Sequence, residues 1–362
     1  MKSGSSEFLR RFTEAFGPAG FEREAVGLAK EYAGPHSDQI LHDKLGSIIF
    51  RKGGGSPRPR ILSTGHVDEI GFLISGIDKE TGFLSFNPLG GWFDQVLLSS
   101  RVVVRTKKGD LPGVIAAKPP HLMPREELDK VVKIDRMFID IGASSGDEAR
   151  DMGVRIGDPA VPWSPFQTIK GGRLAIGKAF DDRVGAFAVL EALRRLKEEG
   201  IEHPNDLFFA ATVQEEVGLR GASTVPHLVD PDAAIVVDVD ISGDVPGIKA
   251  EEAPAKMGKG PSILAYDASM IPNQPFKEFA IGVAEECGIP YQISQSTRGG
   301  TDAGRIHIYK TGCPSLVIGI PTRHIHSQAS IVNLEDLENA VKFLIELMKR
   351  LDGPTVESFT AV

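Results

Sequence analysis

Imidazoles and carboxylates recur just beyond runs that read as buried strands. His66 and Asp68 follow residues 60–64, Glu215 and Glu216 follow residues 207–213, Asp238 ends residues 233–237, and Arg323, His324 and His326 follow residues 315–320. Ligands of open α/β sheets bind in the crevice outside the carboxyl ends of the strands, so four strands are expected to aim these side chains at one place. Asp181 and Asp182 join them at the start of a helix whose apolar face is Ala186, Val189, Leu190, Leu193 and Leu196.

Mixed imidazole and carboxylate donors suit zinc first, with cobalt or manganese as alternatives. A single catalytic zinc takes three protein ligands, whereas at least five candidates converge here, so two divalent ions are expected. One carboxylate must then bridge them, and the short acid Asp181 is the natural choice. Adjacent residues of an extended segment face opposite ways, so Glu215 and Glu216 can serve one centre only if the chain turns there; Gly218 supports a turn. One of the pair would then bind metal while the other stands over the activated water as general base. Asp68 lies two residues from His66, where a carboxylate can take the second ring proton and fix the tautomer. Each feature alone has an ordinary explanation: a chance His-x-Asp, a helix N-cap at Asp181-Asp182, solvated glutamates, exposed loop histidines. The coincidence would have to recur at four strand ends.

Competing chemistries are weaker. Gly142-Ala143-Ser144-Ser145-Gly146 matches Gly-x-Ser-x-Gly by letter, but the polar stretch after it is too short for the packed helix of a nucleophile elbow, and it reads as a surface turn. Arg298-Gly299-Gly300-Thr301-Asp302 lacks the lysine of a phosphate loop. His121, after two prolines, reads as a turn residue or a contact to a neighbouring subunit, and Met270 as packing. Neither Cys287 nor Cys313 sits in a nucleophile motif.

The elements that must position these residues follow from texture. The chain has 362 residues, 41% hydrophobic and 25% charged, with a formal net charge of −8; this suggests two domains and argues against a nucleic-acid partner. Two cysteines build no disulfide framework, and no run is long enough for a signal peptide or a bilayer span, so a cytoplasmic location with no membrane partner is expected. Phe8, Leu9, Phe12 and Phe16 mark a helix stopped at Gly17, and a second covers residues 21–32. Between about residues 68 and 165 helical periodicity nearly vanishes. Short β-rich runs at 71–77, 101–105, 114–117 and 137–141 alternate with turn clusters, and Lys108-Gly109-Asp110 signals a hairpin. This stretch reads as a small β domain inserted into an α/β domain made of residues 1–67 and 166–362. The last helix is capped by Asn333, with Glu335 and Asp336 in its first turn.

Taken in order, Gly65-His66-Val67-Asp68-Glu69-Ile70-Gly71, Ala179-Phe180-Asp181-Asp182-Arg183, Gln214-Glu215-Glu216-Val217-Gly218 and Ile325-His326-Ser327 resemble the tetrahedral aminopeptidases, the family forty-two metallopeptidases that include glutamyl and deblocking aminopeptidases. Asp43-Lys44-Leu45-Gly46, Lys118-Pro119-Pro120-His121 and Ile139-Asp140-Ile141-Gly142-Ala143 extend the likeness over nearly the whole chain. The resemblance implies a three-layer αβα di-metal peptidase domain with a mixed sheet, and a PDZ-like insertion used for dimerisation. It implies that His66, Asp181 and Asp238 hold one ion and that Asp181, Glu216 and His326 hold the other. Glu215 would be the general base and Asp68 the support of His66. It implies hydrolysis of N-terminal residues from short peptides, and dimers assembling into a dodecamer. His324 stands where the family often has an aromatic residue, which gives His326 a competitor as ligand. The rival functions are another di-metal amide hydrolase, such as a carboxypeptidase or deacylase, using Arg298 or Arg323 for a substrate carboxylate, and a non-catalytic metal-binding scaffold.

Overall fold

A computed structural model describes residues 3–361. The main sheet has eleven strands and is mixed. Its centre is a parallel block in the order Asp206–Thr212, Arg60–His66, Ala233–Ile241, Ser315–Arg323. Short antiparallel strands extend both sides: Ile48–Lys52 and Gln39–His42 beyond the first, and Ser330–Asn333, Leu174–Gly177 and Gln167–Ile169 beyond the last. The central strands read as near-continuous apolar runs because helices cover both faces, as parallel sheets require.

On one face lies the helix Phe180–Glu198, whose Val184, Phe187, Leu190 and Leu193 are wholly buried with Phe343, Leu344 and Leu347 of the C-terminal helix Leu334–Met348. Each such side chain contributes about 1.5–3 kcal/mol relative to exposure. The other face buries Ala222, Val225 and Val229 of the helix Arg220–Val229 with Leu62, Ala234 and Val317. The expected helix start at Asn333 is present: its side chain accepts the Glu335 N–H at 2.8 Å.

A closed six-stranded antiparallel barrel, built from strands between Gly71 and Pro162, has its own core of Phe72, Ile74, Leu84, Val104, Ile115 and Ile139. The hairpin expected at Lys108-Gly109-Asp110 joins Arg101–Thr106 to Gly109–Ala116. Ser144 and Ser145 belong to this barrel. Ser145 caps the six-residue helix Gly146–Asp151, which is a turn device and not a nucleophile elbow. His121 lies in an exposed turn, Pro120–Leu122, and Met270 is packed in the core. Both cysteines are free thiols. No helix among the described residues is long and apolar enough to cross a membrane.

Candidate metal centre

The four parallel strands end at one edge, and there the polar side chains meet. The ladder between Arg60–His66 and Ala233–Ile241 stops at Thr64 and Val236, two residues before His66 and Asp238. Beyond that point the two strands no longer pair, and the crevice opens. Sequence texture ended the second of these strands at Asp238; it runs on to Ile241, because its pairing with Ser315–Arg323 continues to Thr322. Asp238 therefore points from within a strand.

Gly65 lets the Phe180–Glu198 helix come close. A Cβ there would lie 2.4 Å from the Ala186 nitrogen and 2.6 Å from its Cα. The helix start is irregular: Ala179 is left-handed, and Asp181 (φ −80°, ψ 109°) and Asp182 (φ −117°, ψ 38°) depart from helical geometry. The two neighbours consequently do different work. Asp182 is fully buried, accepts the Gly185 N–H at 3.1 Å as a cap, and accepts the His66 backbone N–H at 3.2 Å. Asp181 faces the crevice. Its Oδ1 lies 3.2 Å from His66 Nε2 and its Oδ2 3.4 Å from His326 Nε2.

The required turn at Glu215-Glu216 is present: Gln214 and Leu219 are left-handed at φ 56° and 58°, and Gly218 has φ 123°. Asp68, fully buried, holds it by accepting the N–H groups of Glu215 and Glu216 at 2.9 and 3.1 Å. Its carboxylate is 3.5 Å from His66 Nδ1, while its own backbone carbonyl is nearer, at 3.1 Å. The carbonyl is thus the closer orienting acceptor of the ring, and the carboxylate chiefly braces the glutamates. His324 and His326 are both left-handed, at φ 63° and 54°, so they do not lie side by side on an extended segment. His326 enters the crevice; His324 is exposed and stands apart.

Two groups of three ligand atoms result, each with all atoms within 4.8 Å of one another: His66, Asp181 and Asp238, and Asp181, Glu216 and His326. Glu215 Oε2 lies 3.7 Å from His66 Nε2. The electrostatics of this donor set fit a pair of cations. Burial drives the Asp238 and Glu215 carboxyls well above their ordinary range, and burial with the Asp181 charge lifts Glu216 to about 8. Asp181 stays ionised, since imidazole hydrogen bonds outweigh its own desolvation. Glu216 Oε1 is buried with no hydrogen-bond partner. So many carboxylates packed in low dielectric need opposite charge, and bound cations supply it.

Several supporting groups were not singled out in the sequence. Glu22, buried and lifted by that burial to about 7, accepts the Gln214 N–H at 3.1 Å. Asp302, lifted by burial to about 6, accepts the Thr212 hydroxyl at 2.5 Å. Arg183 is completely buried behind the His66–Asp68 turn and donates to the carbonyls of Val67 (3.0 Å) and Phe12 (2.8 Å). Glu69 accepts from Lys178 at 2.6 Å and ties the N-terminal segment to the same place. For Arg183, Glu69 and Lys178 the one available signal was a charge within or directly beside a candidate motif, and Asp302 ends the glycine-rich motif; Glu22 lies beside none of them. Gly91, from the barrel, accepts the ring proton of His326 Nδ1 at 2.5 Å; nothing in the sequence marks it.

The cavity over the two groups measures about 110 Å³ and is lined also by Ile241, Leu264, Arg298 and Ile325. A wider cleft of about 600 Å³ holds Arg58, Asp230, Asp232 and Lys310, whose charges already pair with one another; it offers no unmet chemistry.

Residues 46–343 match the family model of the M42 glutamyl aminopeptidases. The chain is 59% identical to a TET aminopeptidase from a marine sediment Thaumarchaeota archaeon, whose crystal structure superposes with a TM-score of 0.97 over 99% of this chain and 100% of that one. It is 34% identical to the TET1 peptidase of Pyrococcus horikoshii, which can assemble into a tetrahedron or a large octahedral shell (TM-score 0.84, 96% and 100% covered). It is also 34% identical to the lysyl aminopeptidase of Pyrococcus furiosus over 96% of this chain and 98% of that protein.

Proposed function

Because the chain belongs to the M42 glutamyl aminopeptidase family and is a metal-dependent aminopeptidase, we propose that it works with two divalent cations and with Glu215 as general base. The observation that carries this reading is the placement of Asp181, whose two oxygens face two different imidazoles and belong to both ligand groups. His66 and Asp238 would complete one cation's protein ligands, and Glu216 and His326 the other's. Zinc suits these donors, with cobalt or manganese able to replace it. When bound, the cations polarise the scissile carbonyl and acidify the attacking water.

The chain's own part is proton transfer and orientation. Glu215 is buried, and burial holds its carboxyl well above the ordinary range. A carboxylate so placed takes a proton from water readily and keeps it long enough to hand it to the leaving amine. Asp68 fixes the backbone of Glu215 and Glu216 together, so base and ligand keep their relative position. Short peptides entering by their free amine are the substrates.

Residues 68–165 are proposed as an inserted dimerisation domain within a catalytic domain of residues 1–67 and 166–362. Leu122, Leu128 and Val131 are exposed on it, as a contact surface requires. Dimers assembling to a dodecamer are proposed by likeness to the assembling relative, and a cytoplasmic location fits two free thiols.

The test is Glu215→Gln. Hydrolysis of aminoacyl-nitroanilides is expected to fall by about 10²–10⁴-fold, while elemental analysis still finds two cations per chain. Unchanged hydrolysis at full metal content would show that Glu215 is not the base.

A further inference from the structure

We infer that Asp302, which belongs to neither ligand group, is a buried outer charge that strengthens cation binding at the group of His66, Asp181 and Asp238. The inference rests on the two-cation reading above.

Asp302 stands at the N-cap of the short helix Ala303–Ile306, where an aspartate ordinarily accepts helix N–H groups. Its side chain accepts none of them. It turns instead to the end of the strand Asp206–Thr212, where its Oδ2 accepts the Thr212 hydroxyl at 2.5 Å. Its Oδ1 is buried with no hydrogen-bond partner, and so is the hydroxyl of Thr64. Burial lifts the Asp302 carboxyl to about 6 against the pull of the Thr212 hydroxyl and the His66 ring, so it is ionised at neutral pH. A buried carboxylate that forgoes its cap and leaves one oxygen bare costs stability. The Thr212 hydroxyl needs only a neutral acceptor, so the hydrogen bond does not account for the charge.

The sheet sets that charge beneath one ligand group. Ala303 and Ile306 pack with Leu62, Ala234 and Val236. Alternate side chains of a strand share a face, so Thr64 and His66 continue the face of Leu62, and Asp238 continues that of Ala234 and Val236. Asp302, at the start of the helix packed on that face, lies on the side of the sheet from which His66 and Asp238 project. Thr212, which it holds, pairs with His66 in the parallel ladder. The neighbouring acids respond accordingly. Burial raises the Asp238 and Glu215 carboxyls most, and the Asp302 charge raises both further, whereas Glu216 is raised by burial and by Asp181. A fixed negative charge that opposes ionisation of those carboxylates is offset by a cation held among them, and in low dielectric the attraction is large.

The experiment titrates chelated wild type and chelated Asp302→Asn with Co²⁺, followed by visible absorption, and compares unfolding temperatures with and without the metal. The amide has the shape of the carboxylate, still accepts the Thr212 hydroxyl and can donate to the Thr64 hydroxyl. One of the two stepwise constants should weaken by about 10–100-fold. The same loss is expected for the single cation of a Glu216→Gln background, in which only the His66 group is complete. It should be absent from a His66→Gln background, and an equal loss there would overturn the assignment to one group. Chelated Asp302→Asn should melt at or above chelated wild type, because a buried charge with nothing to oppose it is removed; a residue that merely clamps helix to strand predicts the reverse. Asp302→Ser, also neutral, is measured in the same way. Unchanged constants in a folded neutral variant overturn the inference and leave the two-cation reading standing. Failure of both neutral variants to fold identifies a structural clamp and overturns it equally. A wild type that binds fewer than two cations overturns the two-cation reading, and this inference with it.

Discussion

Gly91→Ala isolates the contribution of the barrel to the metal centre. Gly91 is not in the left-handed region, so alanine fits its backbone without strain. The new methyl carbon would meet only His326, at 3.1 Å from Nδ1 and 3.3 Å from Cε1. The ring must retreat by a few tenths of an ångström, because Gly91 is anchored. Its neighbour Trp92 donates to Gly71 O at 2.9 Å and stacks on Phe72 at 4.7 Å. Metal–ligand distances tolerate about 0.2 Å, and loss of an outer hydrogen bond to a ligating imidazole costs about 10–100-fold in affinity, or roughly 1.4–2.7 kcal/mol. We expect chelated Gly91→Ala to bind one cation with wild-type affinity and the second about 10–100-fold more weakly, with an unfolding temperature close to wild type. Stepwise titration with Co²⁺, followed by visible absorption and by elemental analysis after dialysis, reads this directly. Two cations bound with unaltered affinities would refute both the role of Gly91 and the place of His326 among the ligands.

Protons and cations compete for the same atoms. Burial and the Asp181 charge raise Glu216 to about 8; His326 is raised to about 10, burial being outweighed by its hydrogen bond to Asp181 and the Glu216 charge. Both folded values exceed the unfolded ones, so the stability these groups confer is full below 4.5 and 6.5 respectively, and is lost as pH climbs through about 8 and about 10. Chelated protein should therefore melt at progressively lower temperature as pH rises from 5 to 9, and the stabilisation by added metal should grow over the same window; a flat or rising chelated profile in calorimetry contradicts this. Gly65→Ala drives a methyl into the Ala186 backbone, which should cost about 3 kcal/mol or more and lower the melting temperature by roughly 5–10 °C. An unaltered melting temperature would mean that strand and helix are not in that contact.

Much of the centre was legible because chemistry and topology coincide in short motifs. His66, Glu215, Glu216 and His326 each follow a β-type run, and the strand-end rule needs nothing more than that order. Strand limits were less legible. Asp238 and Asp240 interrupt the apolar pattern after Val237, and only the parallel partner Ser315–Arg323 keeps Val239 and Ile241 in the sheet. The short antiparallel strands such as Gln39–His42 and Leu174–Gly177 have little periodicity to detect; they exist because a neighbour supplies the ladder. Arg183, Glu69 and Lys178 look like surface charges in sequence. The burial of Lys178 and Arg183 depends on carbonyls of Ala15 and Phe12 more than 160 residues away, and that of Glu69 on these two cations and on the Gly17 N–H, which it accepts at 3.2 Å. No local pattern encodes such a contact.

The two ligand groups are not equivalent, and the difference follows from where their residues stand. His66 and Asp238 lie on paired central strands, and Asp181 is set by a helix whose approach Gly65 permits. That half of the site is anchored directly on the core, through the buried neighbours Val67 and Val237. Glu216 and His326 lie on turns held by left-handed residues at Gln214 and His326 itself, braced by Asp68, Glu22 and the Gly91 carbonyl. Gly90, also left-handed, is equally close: a Cβ there would be 3.1 Å from Glu216 Oε2. The barrel side of the chain thus forms one wall of the second group through Gly90 and Gly91. Gln328, two residues beyond His326, reaches the Trp163 carbonyl at the barrel's return at 3.3 Å. In the proposed assembly, any contact that shifts the barrel would act first on the group of Asp181, Glu216 and His326, and would reach the other proposed cation site through Asp181, which both groups share.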